Sequence, residues 1–166
     1  MLYTHRYRSP LGEILLAADD VGLTGLWFTE GQRYMGLGLS ATAVERDLPV
    51  FSDAERWLDV YFSGKAPGFT PELHLVGSAF RNRVGEIMLE IPYGKTTTYG
   101  GIALRIANER GIGQMSSRAV GGAVGRNPIS LIIPCHRVIG SDGSLTGYGG
   151  GLERKAALLK LEGALH

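Results

Sequence analysis

The chain has 166 residues, 44% of them hydrophobic, with 17 Lys and Arg against 16 Asp and Glu for a net charge of +1 at pH 7, a size that can bury a proper core as one domain or two. No run approaches the ~20 consecutive apolar residues of a membrane span, and the opening Met1-Leu2-Tyr3-Thr4-His5-Arg6 lacks the apolar region of a secretory signal, so the expectation is a cytoplasmic protein with no membrane partner. A single cysteine among four histidines excludes an internal disulfide and argues against a structural zinc site, so no metal is expected.

Residues 2–8, 13–18 and 23–28 are predicted as strands of an antiparallel meander, with turns at Ser9-Pro10-Leu11-Gly12 and Asp19-Asp20-Val21-Gly22. Residues 31–40 are Gly-rich and read as loop. Apolar residues at 54, 57, 58, 61 and 62 predict a helix over 51–62 whose stripe covers one face of the sheet, and Ser63-Gly64-Lys65-Ala66-Pro67-Gly68 ends it. Residues 1–76 therefore read as a small α/β domain with a scaffold role.

After a strand-like stretch at 73–76 the period becomes helical. Phe80, Val84, Ile87, Met88 and Ile91 share one face of a helix closed by Pro92-Tyr93-Gly94. Thr98 caps a second helix with Tyr99, Ile102, Ala103, Ile106 and Ala107 on one side. A turn at Gly111-Ile112-Gly113 leads to a third helix, capped near Ser116 and ended by Asn127-Pro128. Within a second domain spanning 77–166, that order is the order of a helix-turn-helix. Residues 1–79 carry a net −4 and residues 80–166 a net +5, and a basic half suits a phosphate backbone.

The third helix is rich in small residues: Ala119, Gly121, Gly122, Ala123 and Gly125. Each glycine weakens a helix by roughly 1 kcal/mol against alanine, so close approach should compensate. Two sources are open: another element of the protein, or a nucleic-acid backbone.

The lone Cys135 follows an apolar run, Leu131-Ile132-Ile133-Pro134, and precedes His136, Arg137 and Val138. Most free cysteines are small buried hydrophobes. Here proline is expected to end a buried strand and put Cys135 at its edge, and His136 and Arg137 would be costly to bury unpaired. Attack on carbon needs the thiolate, and at an ordinary pKa near ~8.5 only a few per cent is ionised at neutral pH, so a neighbouring base or cation is required. Successive strand side chains point opposite ways. For Cys135 and His136 to cooperate, either the chain turns there or a water links them.

Five blocks in order carry a resemblance: Ile91-Pro92-Tyr93-Gly94-Lys95-Thr96-Thr97-Thr98-Tyr99-Gly100, Ser117-Arg118-Ala119-Val120-Gly121-Gly122-Ala123, Gly125-Arg126-Asn127-Pro128, Pro134-Cys135-His136-Arg137-Val138 and Gly147-Tyr148-Gly149-Gly150-Gly151-Leu152. Over residues 80–163 the chain resembles the O6-alkylguanine-DNA alkyltransferases. The resemblance implies an RNase H-like N-terminal α/β domain and a mostly helical, winged helix-turn-helix C-terminal domain. It also implies irreversible single-turnover transfer of an alkyl group from guanine O6, with thymine O4 a second candidate, to Cys135, without a cofactor.

In that family reading Cys135 is the acceptor, His136 takes the thiol proton through a water, and Glu162, in Leu158-Leu159-Lys160-Leu161-Glu162-Gly163, orients the imidazole. Tyr99 would serve the departing guanine, although a core tyrosine shows the same periodicity. Asn127 would tie the third helix to the acceptor segment, and a plain Asn-Pro turn is the alternative. Arg118 would fill the stack left by an extruded base. Gly100, Ser117, Arg126 and Ser141 would complete the DNA contacts, made through the minor groove of duplex DNA. Pro134, Val138, Tyr148, Gly149 and Gly150 would line the pocket. No obligate protein partner is implied, and a monomer is expected.

At Gly85 the family usually carries tryptophan or another large apolar residue. Glycine leaves a volume costing about 3 kcal/mol, and Gly85→Trp is expected to raise the melting temperature in thermal unfolding. A recognition-only relative of the family lacks the acceptor cysteine, which Cys135 opposes. A cysteine hydrolase would need an oxyanion motif that is not evident. A redox sensor would need a resolving cysteine.

Overall fold

The structure, a computed structural model, describes residues 1–33, 35–36 and 39–165. Tyr34, Leu37 and Gly38, part of the expected loop at 31–40, lie outside the described residues. The chain divides into two compact units, Met1–Val76 with Pro128–Ile132, and Gly77–Asn127 with Ile133–His166.

In the first unit β1 (Tyr3–Ser9), β2 (Gly12–Ala18) and β3 (Leu23–Phe28) form the expected antiparallel meander. A two-residue strand absent from the sequence reading, β4 (Val44–Glu45), joins β1 in parallel and makes the order β3-β2-β1-β4. The 73–76 segment is not a strand. It contributes one bridge, Leu73 to Leu23, where Leu23 N donates to Glu72 O and His74 N to Leu23 O. Residues 128–130 close the same edge further along, with Leu26 N donating to Pro128 O and Ser130 N to Leu26 O. An otherwise open sheet edge is thus satisfied twice. Helix α1 (Pro49–Phe62) buries Phe51, Ala54, Trp57, Leu58 and Tyr61, the stripe its spacing predicts.

The second unit is helical. Ser78 caps α2 (Ala79–Leu89) by accepting from Arg81 N, and Gly85 is buried within it. Thr98 caps α3 (Tyr99–Arg110), which ends at Gly111 in the left-handed conformation, φ 64°, a position suited to glycine. Ser116 caps α4 (Ser117–Gly125). Two short strands, β5 (Thr97–Thr98) and β6 (Val138–Ile139), pair in parallel and join the start of α3 to the chain just past Cys135. Helix α5 (Leu152–Leu161), not identified from the sequence, closes the unit and carries the buried Lys155, Leu158 and Leu159. Among the described residues no helix is long and apolar enough to cross a membrane.

Candidate active site around Cys135

The apolar run before Cys135 is not a strand. Two successive tight turns replace it. At Leu131, the one non-glycine described at positive φ (70°), Ile132 N donates to Ser130 O at 2.8 Å, the hydrogen bond of a γ-turn with the sign of φ that strains it. Leu131 is fully buried. At Pro134, φ −81° and ψ 67°, Cys135 N donates to Ile133 O at 2.8 Å, an inverse γ-turn. Cys135, His136 and Arg137 then form a single 3-10 turn. The chain thus turns at Cys135 instead of running on as a strand. Proline supplies the fixed φ here rather than the end of a ladder.

His136 has no exposed surface, and its Nε2 lies 2.6 Å from Glu162 Oε2. Glu162, 7% exposed, is not a solvated terminal charge. Its Oε1 accepts from Arg137 Nε at 2.8 Å and from Gly94 N at 3.0 Å, and its Oε2 accepts from Arg137 Nη2 at 3.2 Å. Arg137 spends its remaining arm on Ile91 O at 2.8 Å and lies over the Tyr93 ring. Burial holds His136 below its ordinary pKa, against the opposing pull of Glu162. The imidazole is therefore neutral. With Nε2–H donated to the carboxylate, the basic lone pair sits on Nδ1.

Asn127 is buried, and its Nδ2 donates to Ile133 O at 2.8 Å. One carbonyl thus accepts from the residue after α4 and from the Cys135 amide, so Asn127 does more than make an Asn-Pro turn. Tyr99 is half-buried rather than a core residue, and its hydroxyl donates to Thr146 O at 2.8 Å. Its pKa is raised, first by burial and also by the charge of Cys135, so the phenol keeps its proton. Pro134, Val138, Tyr148, Gly149 and Gly150 are all buried, and Tyr148 meets the His136 ring edge-on at 6.4 Å between centroids.

Gly100, Ser117, Arg118, Arg126 and Ser141 are exposed. A Cβ at Gly100 would stand 3.9 Å from Ser117 Oγ, so the starts of α3 and α4 are neighbours. Arg126 folds back to Gly122 O at 3.3 Å. The glycines of α4 are not required by packing: a Cβ at Gly121 would meet its nearest atom, Tyr99 Cδ1, at 3.9 Å, one at Gly122 only the flexible Arg126 Nη1 at 3.3 Å, and one at Gly125 nothing within 4 Å. Of the two compensations open from sequence, intramolecular close packing finds no support at these positions.

Two contributors escaped the sequence reading. Arg137 was read only as a charge in need of a partner, and that partner proves to be Glu162. Lys155 is fully buried, and its Nζ donates to Val138 O at 2.6 Å and Thr146 O at 2.8 Å. Its sole sequence signal is a cation among the apolar residues of α5. Among the described residues no group of three His, Cys, Asp or Glu is placed to hold a metal ion.

A buried cysteine followed in the chain by a buried, neutral imidazole that a carboxylate orients is the residue set of nucleophilic cysteine chemistry, which fits the class of cysteine-dependent transferases and hydrolases. Comparison with known proteins decides between them. The models of the 6-O-methylguanine DNA methyltransferase ribonuclease-like domain and DNA binding domain match residues 2–75 and 79–164. The methylated-DNA–protein-cysteine methyltransferase of Methanosarcina acetivorans is 44% identical over 163 residues, covering 98% of this chain and 99% of that protein. Among solved structures, Mycobacterium tuberculosis OGT in complex with DNA superposes with a TM-score of 0.81 at 43% identity, over 98% of this chain and 93% of that one. The O6-methylguanine-DNA methyltransferase of Pyrococcus kodakaraensis gives 0.65 at 26% identity, over 98% and 99%. The chain belongs to the 6-O-methylguanine DNA methyltransferase family. Its kinship extends through the N-terminal unit, beyond the 80–163 stretch in which the sequence motifs are concentrated.

Proposed function

We propose that this protein repairs DNA by direct reversal, transferring a methyl or other alkyl group from guanine O6 irreversibly to its own Cys135. The observation that carries this reading is the buried Cys135, His136 and Glu162 constellation, in a chain that aligns end to end with methylated-DNA–protein-cysteine methyltransferases.

The thiol proton passes through a water to His136 Nδ1. The thiolate then attacks the alkyl carbon, the sulfur–carbon bond forms as the carbon–O6 bond breaks, and the electron pair stays on the guanine. Tyr99, protonated and at the pocket, donates a hydrogen bond to the guanine as charge develops. Glu162 fixes the imidazole tautomer. The product is a thioether, which water does not cleave, so each molecule acts once.

The basic C-terminal domain, 77–166, binds duplex DNA as a winged helix-turn-helix, with α4 in the minor groove. A small-faced helix allows the backbone approach that its glycines otherwise leave unexplained. Arg118, exposed at the start of α4, replaces the extruded base, and Gly100, Ser117, Arg126 and Ser141 contact the strand. Asn127 couples α4 to the acceptor turn. Pro134, Val138, Tyr148, Gly149 and Gly150 enclose the base and its alkyl group. The RNase H-like N-terminal domain, 1–76, is a scaffold. The protein acts as a cytoplasmic monomer without cofactor.

The test is repair of a duplex whose restriction site is blocked by one O6-methylguanine. The protein is expected to restore cutting in proportion to the moles added, and Cys135→Ala to restore none. Cutting that continues beyond one equivalent, or survives in the variant, would overturn the reading.

A further inference from the structure

Pro92-Tyr93-Gly94-Lys95 makes the turn that follows α2. Lys95 N donates to Pro92 O at 3.0 Å, and Gly94 stands at φ 78°, the positive value that the third residue of a type II turn requires. From sequence this stretch marks only the end of a helix. In the structure it lies against the Arg137 and Glu162 pair: Ile91 O accepts from Arg137 Nη1 at 2.8 Å, the Tyr93 ring faces the guanidinium at 5.7 Å, and Gly94 N donates to Glu162 Oε1 at 3.0 Å. A Cβ on Gly94 would stand 3.1 Å from Glu162 O.

We propose that Gly94 is a positioning residue for the transfer reaction, its left-handed backbone aiming the peptide between Tyr93 and Gly94 so that the N–H, and not the carbonyl, meets Glu162. This rests on the repair reading. Type I and type II turns differ chiefly in that one peptide, which rotates by about 180° between them. With the N–H in place each oxygen of Glu162 accepts two hydrogen bonds, Oε1 from Gly94 N and Arg137 Nε, Oε2 from Arg137 Nη2 and His136 Nε2, which fills the lone pairs of a carboxylate. Glu162 cannot rotate without breaking one of these bonds, so His136 Nε2–H stays bound and Nδ1 keeps its lone pair. Turned the other way, the peptide would set the Tyr93 carbonyl oxygen against Oε1. The carboxylate would then move away and leave the imidazole free to change tautomer.

Reversing the chain does not by itself call for glycine at this position. A type I turn accepts most residues and spans the same four positions, and glycine costs more conformational entropy on folding than any other residue. What only the type II form supplies is a donor on the Glu162 side. Gly94 is also not among the residues proposed to meet DNA, so its effect on the chemical step is separable from binding.

The experiment compares wild type, Gly94→Ala and Gly94→Asn for single-turnover methyl transfer over a range of concentrations of an O6-methylguanine duplex. Both variants add the same Cβ, but asparagine visits positive φ far more readily than alanine. Gly94→Ala is expected to slow transfer at saturating DNA by about tenfold or more with the half-saturating DNA concentration unchanged, and Gly94→Asn to regain part of the rate. An alanine variant as fast as wild type, an asparagine variant no faster than the alanine one, or a loss expressed as weaker DNA binding overturns the proposal. So does an asparagine variant too unstable to assay, which would make the turn a matter of stability alone. In the wild type itself, the Gly94 amide is expected to resist hydrogen exchange and to show a coupling across its hydrogen bond to the Glu162 carboxylate carbon by NMR; a freely exchanging amide overturns the proposal whatever the variants do. No transfer by the wild type would instead sink the repair reading, whereas full-rate transfer by Gly94→Ala sinks only this inference.

Discussion

Glu162→Gln changes one atom and leaves no cavity, so its effect isolates the buried charge. Glu162 Oε1 accepts from Arg137 Nε and Gly94 N, and Oε2 from Arg137 Nη2 and His136 Nε2. Whichever way the glutamine amide turns, its NH2 faces donors where the carboxylate offered lone pairs. If His136 answers by moving its proton to Nδ1, the amide gains an acceptor and the site loses its base. Removing one partner of a buried ion pair typically costs about 3–5 kcal/mol. At ~2–4 °C per kcal/mol for a chain of this size, the melting temperature should drop by on the order of 10 °C. Loss of a general base typically slows a reaction about 10²–10⁴-fold, and methyl transfer should slow by that order. Calorimetry at pH 7 and quenched-flow transfer, read on the same preparation, provide the two numbers. A variant melting within about 2 °C of wild type and transferring at the wild-type rate would refute the assignment of Glu162 as the anchor of both Arg137 and His136.

Gly125→Ala should trade binding for stability. The new Cβ meets nothing within 4 Å, so unfolding free energy should rise by about 1 kcal/mol in urea melts, while affinity for duplex DNA falls in a salt-controlled titration; unchanged affinity would remove α4 from the interface. The pH dependence of stability should carry the signature of His136, which is neutral in the folded state with a pKa below its ordinary 6.5. The unfolded chain then binds more protons in that window, so this contribution is complete above about pH 6.5 and is lost as pH falls through the folded value. Melting curves between pH 7 and 5 should therefore fall more steeply for wild type than for His136→Gln; parallel curves would contradict a buried neutral imidazole.

What could be read from sequence was local. The caps at Thr98 and Ser116 and the apolar stripes of α1, α2 and α3 each follow from residues a few positions apart, and they stand where periodicity places them. The expected strand before Cys135 failed for a physical reason. Leu131-Ile132-Ile133 is as apolar as a buried strand, but its burial is achieved in consecutive γ-turns, and the strained φ of Leu131 leaves no trace in composition. Helix α4 illustrates an ambiguity that only coordinates resolve. Its glycines signalled close approach by something, and the space around Gly121 and Gly125 argues that it is not this chain. The partners of Arg137 and Lys155 were out of reach because they lie far along the chain or are main-chain oxygens. The sequence shows a buried charge's cost but not its counterpart. Glu162 and Tyr99 entered as candidates through family resemblance, since a glutamate near a C-terminus and an aromatic on a helix face each have a commoner, blander explanation.

The most direct test of the account is the intact mass of the protein after incubation with a duplex carrying a single O6-methylguanine, followed by peptide mapping. The account predicts a gain of one methyl per molecule, never more at any excess of DNA, located on Cys135 and absent from Cys135→Ala. An unchanged mass despite tight lesion binding, or a methyl on any other residue, would contradict it.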